Sequence, residues 1–269
     1  MGNVVVEQDV VIGKGGDREL KVDVFRPADQ SGLVPGVLFM PGGGWRNCDR
    51  AALAERYGYP LAKHGLVCVN GEYRVMDEAP WPAQIHDVKA AIRWVRANSA
   101  SLGIAPSQIV IAGKSAGGQL ALLAAGTPNV PEFEGNGGNS GVSTEVAGAV
   151  GSSPVSDLAD FSERRDLEAL LGPNPSADFL KAISPITYAN RSYPPTLIFH
   201  GTSDTRVHHH ETMRFFEKLE QAEVPVDLHL YAGQDHFFDR EPHFYQAVCD
   251  AIELFISRYV PLREPVASA

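Results

Sequence analysis

The sequence predicts an α/β fold, a mostly parallel central sheet flanked by helices, with a small lid insertion. Three observations predict it. Short apolar runs of strand length alternate with helix-length segments. The runs at Val34–Met40 and Ile109–Ala112 each lead into a glycine-rich turn and then toward a helix. Neither an internal repeat nor a shift in composition divides the chain. Strands joined through helices need crossover connections, so they lie parallel and are covered on both faces. A length of 269 residues allows one large domain or two small ones. With no linker in sight, one domain over 1–269 is expected.

Val4–Ile12 and Glu19–Phe25 read as two strands around the glycine turn Gly13–Gly16, an antiparallel edge for the sheet. Val34–Met40 is the third strand, Ala51–His64 a helix ending at Gly65, and Leu66–Asn70 the fourth strand. Asp87–Asn98 places Val88, Ala91, Ile92 and Val95 on one helical face. Ile109–Ala112 is a strand followed directly by the helix Ala116–Ala125. The runs Val146–Val150, Thr196–His200 and Val226–Leu230 complete the strands, and a helix over Phe244–Tyr259 follows. Two stretches break this rhythm. Asn129–Thr144, rich in glycine and asparagine, reads as an irregular loop. Ser152–Tyr193 carries short helical pieces at Arg164–Leu171 and Ala177–Ala182 and reads as a lid or pocket wall, with a solvent-facing insertion as the plainer alternative.

Lys and Arg total 23 against 33 Asp and Glu, a net charge of −10, and no basic stripe offsets it, so nucleic acid is not expected as a partner. No window of 18 apolar residues suggests a membrane span, and the first residues lack a basic start followed by an apolar run. Cytoplasmic placement is expected, with secretion after removal of a leader left open. Cys48, Cys68 and Cys249 are too few and too far apart for a disulfide scaffold or a sulfur-ligated zinc site. No metal and no cofactor is expected. His208–His210 resembles a metal cluster, but consecutive helical side chains diverge, and a helix-surface reading is preferred.

The chemistry concentrates in three places. Gly113-Lys114-Ser115-Ala116-Gly117 follows a strand and opens a helix. Small residues at 113 and 117 permit a sharp turn that lifts the Ser115 hydroxyl clear of the sheet. The Ala116 N–H at the helix start is then placed to meet a developing oxyanion. Pro41-Gly42-Gly43-Gly44-Trp45 follows the third strand. Three glycines in a row suit a loop whose backbone must approach a reacting group, and one such donor is worth roughly 3 kcal/mol. A phosphate loop is excluded because no GK[ST] ending is present. Asp204 and His236 each lie just past a strand, on the same sheet edge as Ser115, in the chain order Ser, Asp, His. A serine needs a base to take its proton, and the base needs a carboxylate to hold its tautomer. Asp235 is the rival for Asp204, but it adjoins the histidine and reaches poorly behind its ring.

With PGGGW at 41–45, YRV at 73–75, the segment 82–104, GKSAGG at 113–118, HGTSDTRV at 200–207 and DHFF at 235–238, the chain resembles the α/β-hydrolase esterases of the hormone-sensitive-lipase and bacterial feruloyl and acetyl-xylan esterase type (BD-FAE-like). The resemblance implies a Ser115–Asp204–His236 triad, with an oxyanion hole formed by the N–H groups of Gly42, Gly43 and Ala116. It gives Asp87 a structural role. The large N-terminal cap of the lipase-like members is expected to be missing. Pro41 stands where the family usually has His, and Lys114 where an acidic residue is common; Lys114 is read either as favouring an acidic substrate or as one half of an ion pair. Trp45, Lys114, Trp81, Tyr73 and Phe237 are expected to wall the pocket. The implied activity is serine carboxylesterase chemistry on short-chain acyl or aromatic esters, including carbohydrate esters. An amidase, peptidase or arylformamidase on the same scaffold is the alternative, and a non-catalytic binding module the remote one. A homodimer through edge strands or the terminal helix is left open.

Overall fold

A computed structural model describes residues 3–161 and 167–260. Its strands are β1 (Val4–Gly15), β2 (Arg18–Pro27), β3 (Val34–Met40), β4 (Val67–Asn70), β5 (Ile104–Lys114), β6 (Gly148–Ser152), β7 (Thr196–Gly201) and β8 (Val226–Tyr231). Its α-helices are α1 (Tyr59–Lys63), α2 (Ala83–Ala97), α3 (Ser99–Leu102), α4 (Ala116–Gly126), α5 (Pro131–Glu134), α6 (Glu168–Leu171), α7 (Ala177–Ala182), α8 (His209–Gln221) and α9 (Pro242–Tyr259). The strands form one sheet in the order β1-β2-β4-β3-β5-β6-β7-β8. β1 and β2 are an antiparallel hairpin, and β2 joins β4 antiparallel. From β4 onward every pairing is parallel. This is the α/β-hydrolase fold, with the antiparallel edge where the opening strands were expected.

Strand alternation divides the core. Leu38 and Met40 of β3 enter the layer packed with α2, α4 and α8, whereas Val37 and Phe39 face the layer of α1 and α9. Parallel strands covered on both faces must be largely apolar, as β3 is throughout and β4 is up to Asn70. Asp87 lies in α2 and accepts hydrogen bonds from the N–H, Nε and Nη2 of Arg74 at 2.9, 2.8 and 2.8 Å, which bears out its structural role.

Several expectations need correction. Ala51–His64 is a succession of a 3-10 turn (Ala51–Leu53), a π turn (Ala54–Gly58) and α1, rather than one α-helix. Two residues explain the break: Gly58 packs against the Phe25 ring where a Cβ would clash, and Pro60 has no N–H for a continued ladder. Asn129–Thr144 contains α5, because Glu134 is tied down by Lys89 and Arg93 of α2. Of the helical piece at Arg164–Leu171, Arg164–Asp166 lie outside the described residues, and α6 covers the remainder from Glu168. β5 and α2 both begin earlier than the periodicity suggested. The described residues of the segment from Ser152 to Tyr193 include α6, α7 and a 3-10 turn at Pro185–Tyr188.

Candidate active site

The parallel strands bring β3, β5, β7 and β8 to one edge, and the loops leaving them carry the reactive residues. Ser115 sits between β5 and α4 at φ 53° and ψ −121°, a conformation costing on the order of 1–3 kcal/mol for a residue with a side chain. Its neighbours hold it there. The Ser115 N–H donates to Ser152 O at 2.9 Å, and Ser115 O accepts from Gln119 N at 2.9 Å. A Cβ at Gly113 would strike the Gly117 carbonyl, and one at Gly117 would strike the carbonyls of Met40 and Pro41. Glycine at both positions is therefore a packing requirement of the turn.

The triad residues come together. Ser115 Oγ lies 3.0 Å from His236 Nε2, and His236 Nδ1 lies 2.6 Å from Asp204 Oδ2. Asp204 is further held by the N–H groups of Arg206 and Val207, at 2.9 and 3.0 Å from Oδ1. Burial alone would raise the Asp204 pKa, but hydrogen bonds from His200 and His236 outweigh it and keep the group well below the usual carboxylate range. Burial lowers the His236 pKa, with the nearby Lys114 cation acting in the same sense and the Asp204 hydrogen bond opposing both. The base is thus neutral at pH 7 and its Nδ1–H is oriented by a fixed anion, which leaves Nε2 free to accept the serine proton.

His200 is a further member of this network, packed behind the aspartate. Its Nε2 faces two acceptors, Asp204 Oδ2 at 3.2 Å and Val207 O at 2.9 Å, so that nitrogen carries the proton. Its Nδ1 then accepts from the Thr212 hydroxyl at 2.8 Å. His200 therefore lies behind the aspartate and never reaches the serine. Its position near the end of β7, one short loop before Asp204, was the available signal.

The glycine loop closes over the same point. Gly42 lies against the turn, where a Cβ would press on Lys114 O and the Ser115 Cβ. Gly43 adopts φ 143° and Gly44 φ 62°, both in the region that favours glycine, and Trp45 follows at φ 57°. The Gly43 carbonyl accepts from Arg46 N and Asn47 N at 3.1 Å each. Among the described residues, neither the Gly42 nor the Gly43 N–H donates to another backbone group, and the Ala116 N–H, first in α4, has no intrahelical acceptor. Pro41 is fixed from behind, since its carbonyl accepts from Tyr73 OH at 3.0 Å.

A cavity of about 580 Å³ opens beside Ser115, lined by the glycine loop, Trp45, Lys114, Phe161, Leu167 and Phe237 among others. Trp45, Lys114 and Phe237 are where they were expected. Trp45 packs edge-on to Phe161 at 6.2 Å, and its Nε1–H donates to Gln119 Oε1 at 3.2 Å. Lys114 is half of an ion pair: its Nζ is 2.7 Å from Asp239 Oδ1, and it also donates to His236 O at 2.9 Å. Tyr73 and Trp81 do not line the cavity. Tyr73 is buried in the core with its hydroxyl committed to Pro41, and Trp81 packs against Phe133 at 6.1 Å with its N–H on Leu170 O. Among the described residues, no group of three or more His, Cys, Asp or Glu is arranged to hold a metal ion, and no helix is long and apolar enough to cross a membrane. The His209 and His210 rings lie 4.3 Å apart at a 32° tilt at the start of α8, and all three cysteines are free.

Known proteins share this fold. The chain is 31% identical over 245 residues to the probable carboxylic ester hydrolase LipM of Mycobacterium tuberculosis, a match covering 83% of this chain and 56% of that protein. The chain thus spans little more than half the length of that curated relative. A truncated carbohydrate esterase from gut microbiota superposes with a TM-score of 0.84 at 26% identity, covering 96% of this chain and 97% of that one. Butyrate-bound esterase Est2 of Thermogutta terrifontis superposes with a TM-score of 0.79 at 27% identity, covering 97% and 96%. The family model for BD-FAE matches residues 22–219, which takes in the glycine loop, the serine turn and the aspartate loop, and the chain belongs to that family.

Proposed function

We propose that the chain is a serine carboxylesterase that hydrolyses short-chain acyl or aromatic esters, carbohydrate esters among them. The observation that carries this reading is the unbroken relay from Asp204 through His236 to Ser115, at 2.6 and 3.0 Å, ending in an open cavity. In the first half-reaction His236 Nε2 takes the Ser115 proton while Oγ bonds to the ester carbonyl carbon. The carbonyl electron pair moves onto oxygen, which the N–H groups of Gly42, Gly43 and Ala116 receive. Asp204 stabilises the imidazolium without taking its proton. The carbonyl re-forms as the ester C–O bond breaks, and His236 protonates the departing alcohol. Water then repeats these steps on the acyl-enzyme and releases the acid. The Trp45–Phe161 contact in the cavity wall and the butyrate-bound relative both favour short acyl groups.

Ser115→Ala tests the reading. The variant should lose about 10⁴-fold or more of kcat on p-nitrophenyl acetate and butyrate while keeping the wild-type melting temperature. Full activity in that variant would overturn the assignment. Turnover confined to N-formylkynurenine or an aminoacyl anilide would keep the nucleophile and replace the ester by an amide bond.

A further inference from the structure

Charge around the cavity runs against the composition of the chain. The molecule carries −10 overall, yet among the described residues the charged side chains lining this cavity are Arg46, Arg56, Lys114, Arg206 and Arg240 against Asp49. Two of these cations are committed to protein groups. Lys114 is paired with Asp239, and Arg56 lies 3.8 Å from the same carboxylate and donates its Nε–H to Ala52 O. Arg206 and Arg240 differ. Both are exposed, and neither guanidinium has an ion-pair partner among the described residues. Among the described residues the nearby carboxylates pair with neither arginine: Asp235 accepts from the Phe237 N–H at 2.7 Å, Asp239 is buried under Lys114 and Tyr57, and Asp49 accepts from the Ala52 N–H.

Both arginines contact a single ring. The Arg240 guanidinium lies 4.0 Å and that of Arg206 5.2 Å from the centre of Phe237. Two like charges gathered on one ring repel each other, and the ring's negative faces offset that only in part. A cleft with apolar walls concentrates the field of such a pair. The placement also fixes their reach. Arg206 stands two residues past Asp204, and Phe237 follows His236, so the pair is tied to the two loops that carry Asp204 and His236. Guanidinium forks suit one ligand group above others, a planar carboxylate bound through paired N–H···O contacts.

We propose that Arg206 and Arg240 form a carboxylate-binding subsite, and that the preferred ester carries a free carboxylate in addition to its scissile carbonyl. The proposal rests on the esterase reading for the identity of the bond broken. Two pairs of substrates test it on the two sides of that bond. Mono-4-nitrophenyl glutarate against its methyl ester places the anion on the acyl side, and 4-acetoxybenzoate against methyl 4-acetoxybenzoate places it on the leaving side. Each kcat/KM is divided by the rate of alkaline hydrolysis. In at least one pair the carboxylate form should be preferred by about tenfold or more, with the preference shrinking as salt is added. It should fall to near one in Arg206→Gln/Arg240→Gln and survive in part in the double Lys variant. A ratio of one or below in both pairs, or a preference untouched by the Gln substitutions, would overturn the subsite while neutral-ester turnover upheld the esterase. Calorimetry on Ser115→Ala separates the two ideas from the other side. Tighter binding of the carboxylate form without any turnover by the wild type would keep the subsite and remove the esterase.

Discussion

Asp204 and Asp239 are two buried carboxylates on either side of the catalytic histidine, built from similar parts and put to different ends. Both are held below the ordinary carboxylate range although burial pushes each of them up. For Asp204 the opposing influences are imidazoles and backbone N–H groups; for Asp239 they are the Lys114 ammonium and the Tyr57 hydroxyl, which donates to Oδ2 at 2.6 Å. The partner decides the role. An imidazole offers a second nitrogen that can accept a proton from Ser115, whereas an ammonium has donors only. Lys114 therefore acts as a clamp: it joins Asp239 to the carbonyl of His236 and fixes the backbone from which the base projects. A buried ion pair beside a nucleophile is thus no sign of catalysis in itself, and the free lone pair on the partner tells the two apart.

The largest effect should come from breaking the reactive half. Asp204→Asn keeps the shape but presents an amide to His236, and kcat on p-nitrophenyl acetate should fall by about 10⁴-fold with little change in melting temperature. Breaking the clamp should act on stability instead. Lys114→Met leaves buried Asp239 with only the more distant Arg56, 3.8 Å away, and should cost roughly 3 kcal/mol in denaturant unfolding, a loss that Lys114→Met/Asp239→Leu should recover in part. If Lys114→Met were as stable as the wild type, the clamp would be no clamp. The smallest effect is on pH. Only neutral His236 can take the serine proton, and burial assisted by Lys114 lowers its pKa. Activity therefore falls only as pH drops through a value below the ordinary histidine pKa of about 6.5. A kcat/KM profile from about pH 4.5 to 8 should show its acid limb there, and the double clamp variant should move that limb upward.

The same contrast explains what could be read from the sequence. The sheet, its antiparallel edge and the triad are written locally, each reactive residue lying just past an apolar run that ends at one sheet edge. Ser115, Asp204 and His236 could be placed by that rule alone. The pocket wall obeys no such rule. Tyr73 and Trp81 lie near the site in the chain, but the core claimed the first, through its bond to Pro41, and Phe133 claimed the second. Lys114 was legible as a cation beside the nucleophile. Its partner was not, since Asp239 is far away in sequence and is brought close only by the turn after His236. The cluster on Phe237 escaped notice for the same reason, because its two arginines come from different loops.

Gln119 of α4 joins the glycine loop to the segment beyond α7. Its carbonyl accepts from the Trp45 indole at 3.2 Å, and its amide donates to the main-chain oxygen of Ile183, beyond α7, at 2.9 Å. Because that acceptor belongs to the backbone, side chains along the wall can drift without loosening the mooring, and acyl preference is free to diverge by point substitution. Insertions or deletions that carry residue 183 out of reach have no such licence. They would strand a buried amide and release the indole that borders the cavity, so relatives of this chain should vary in composition along this wall more readily than in its length.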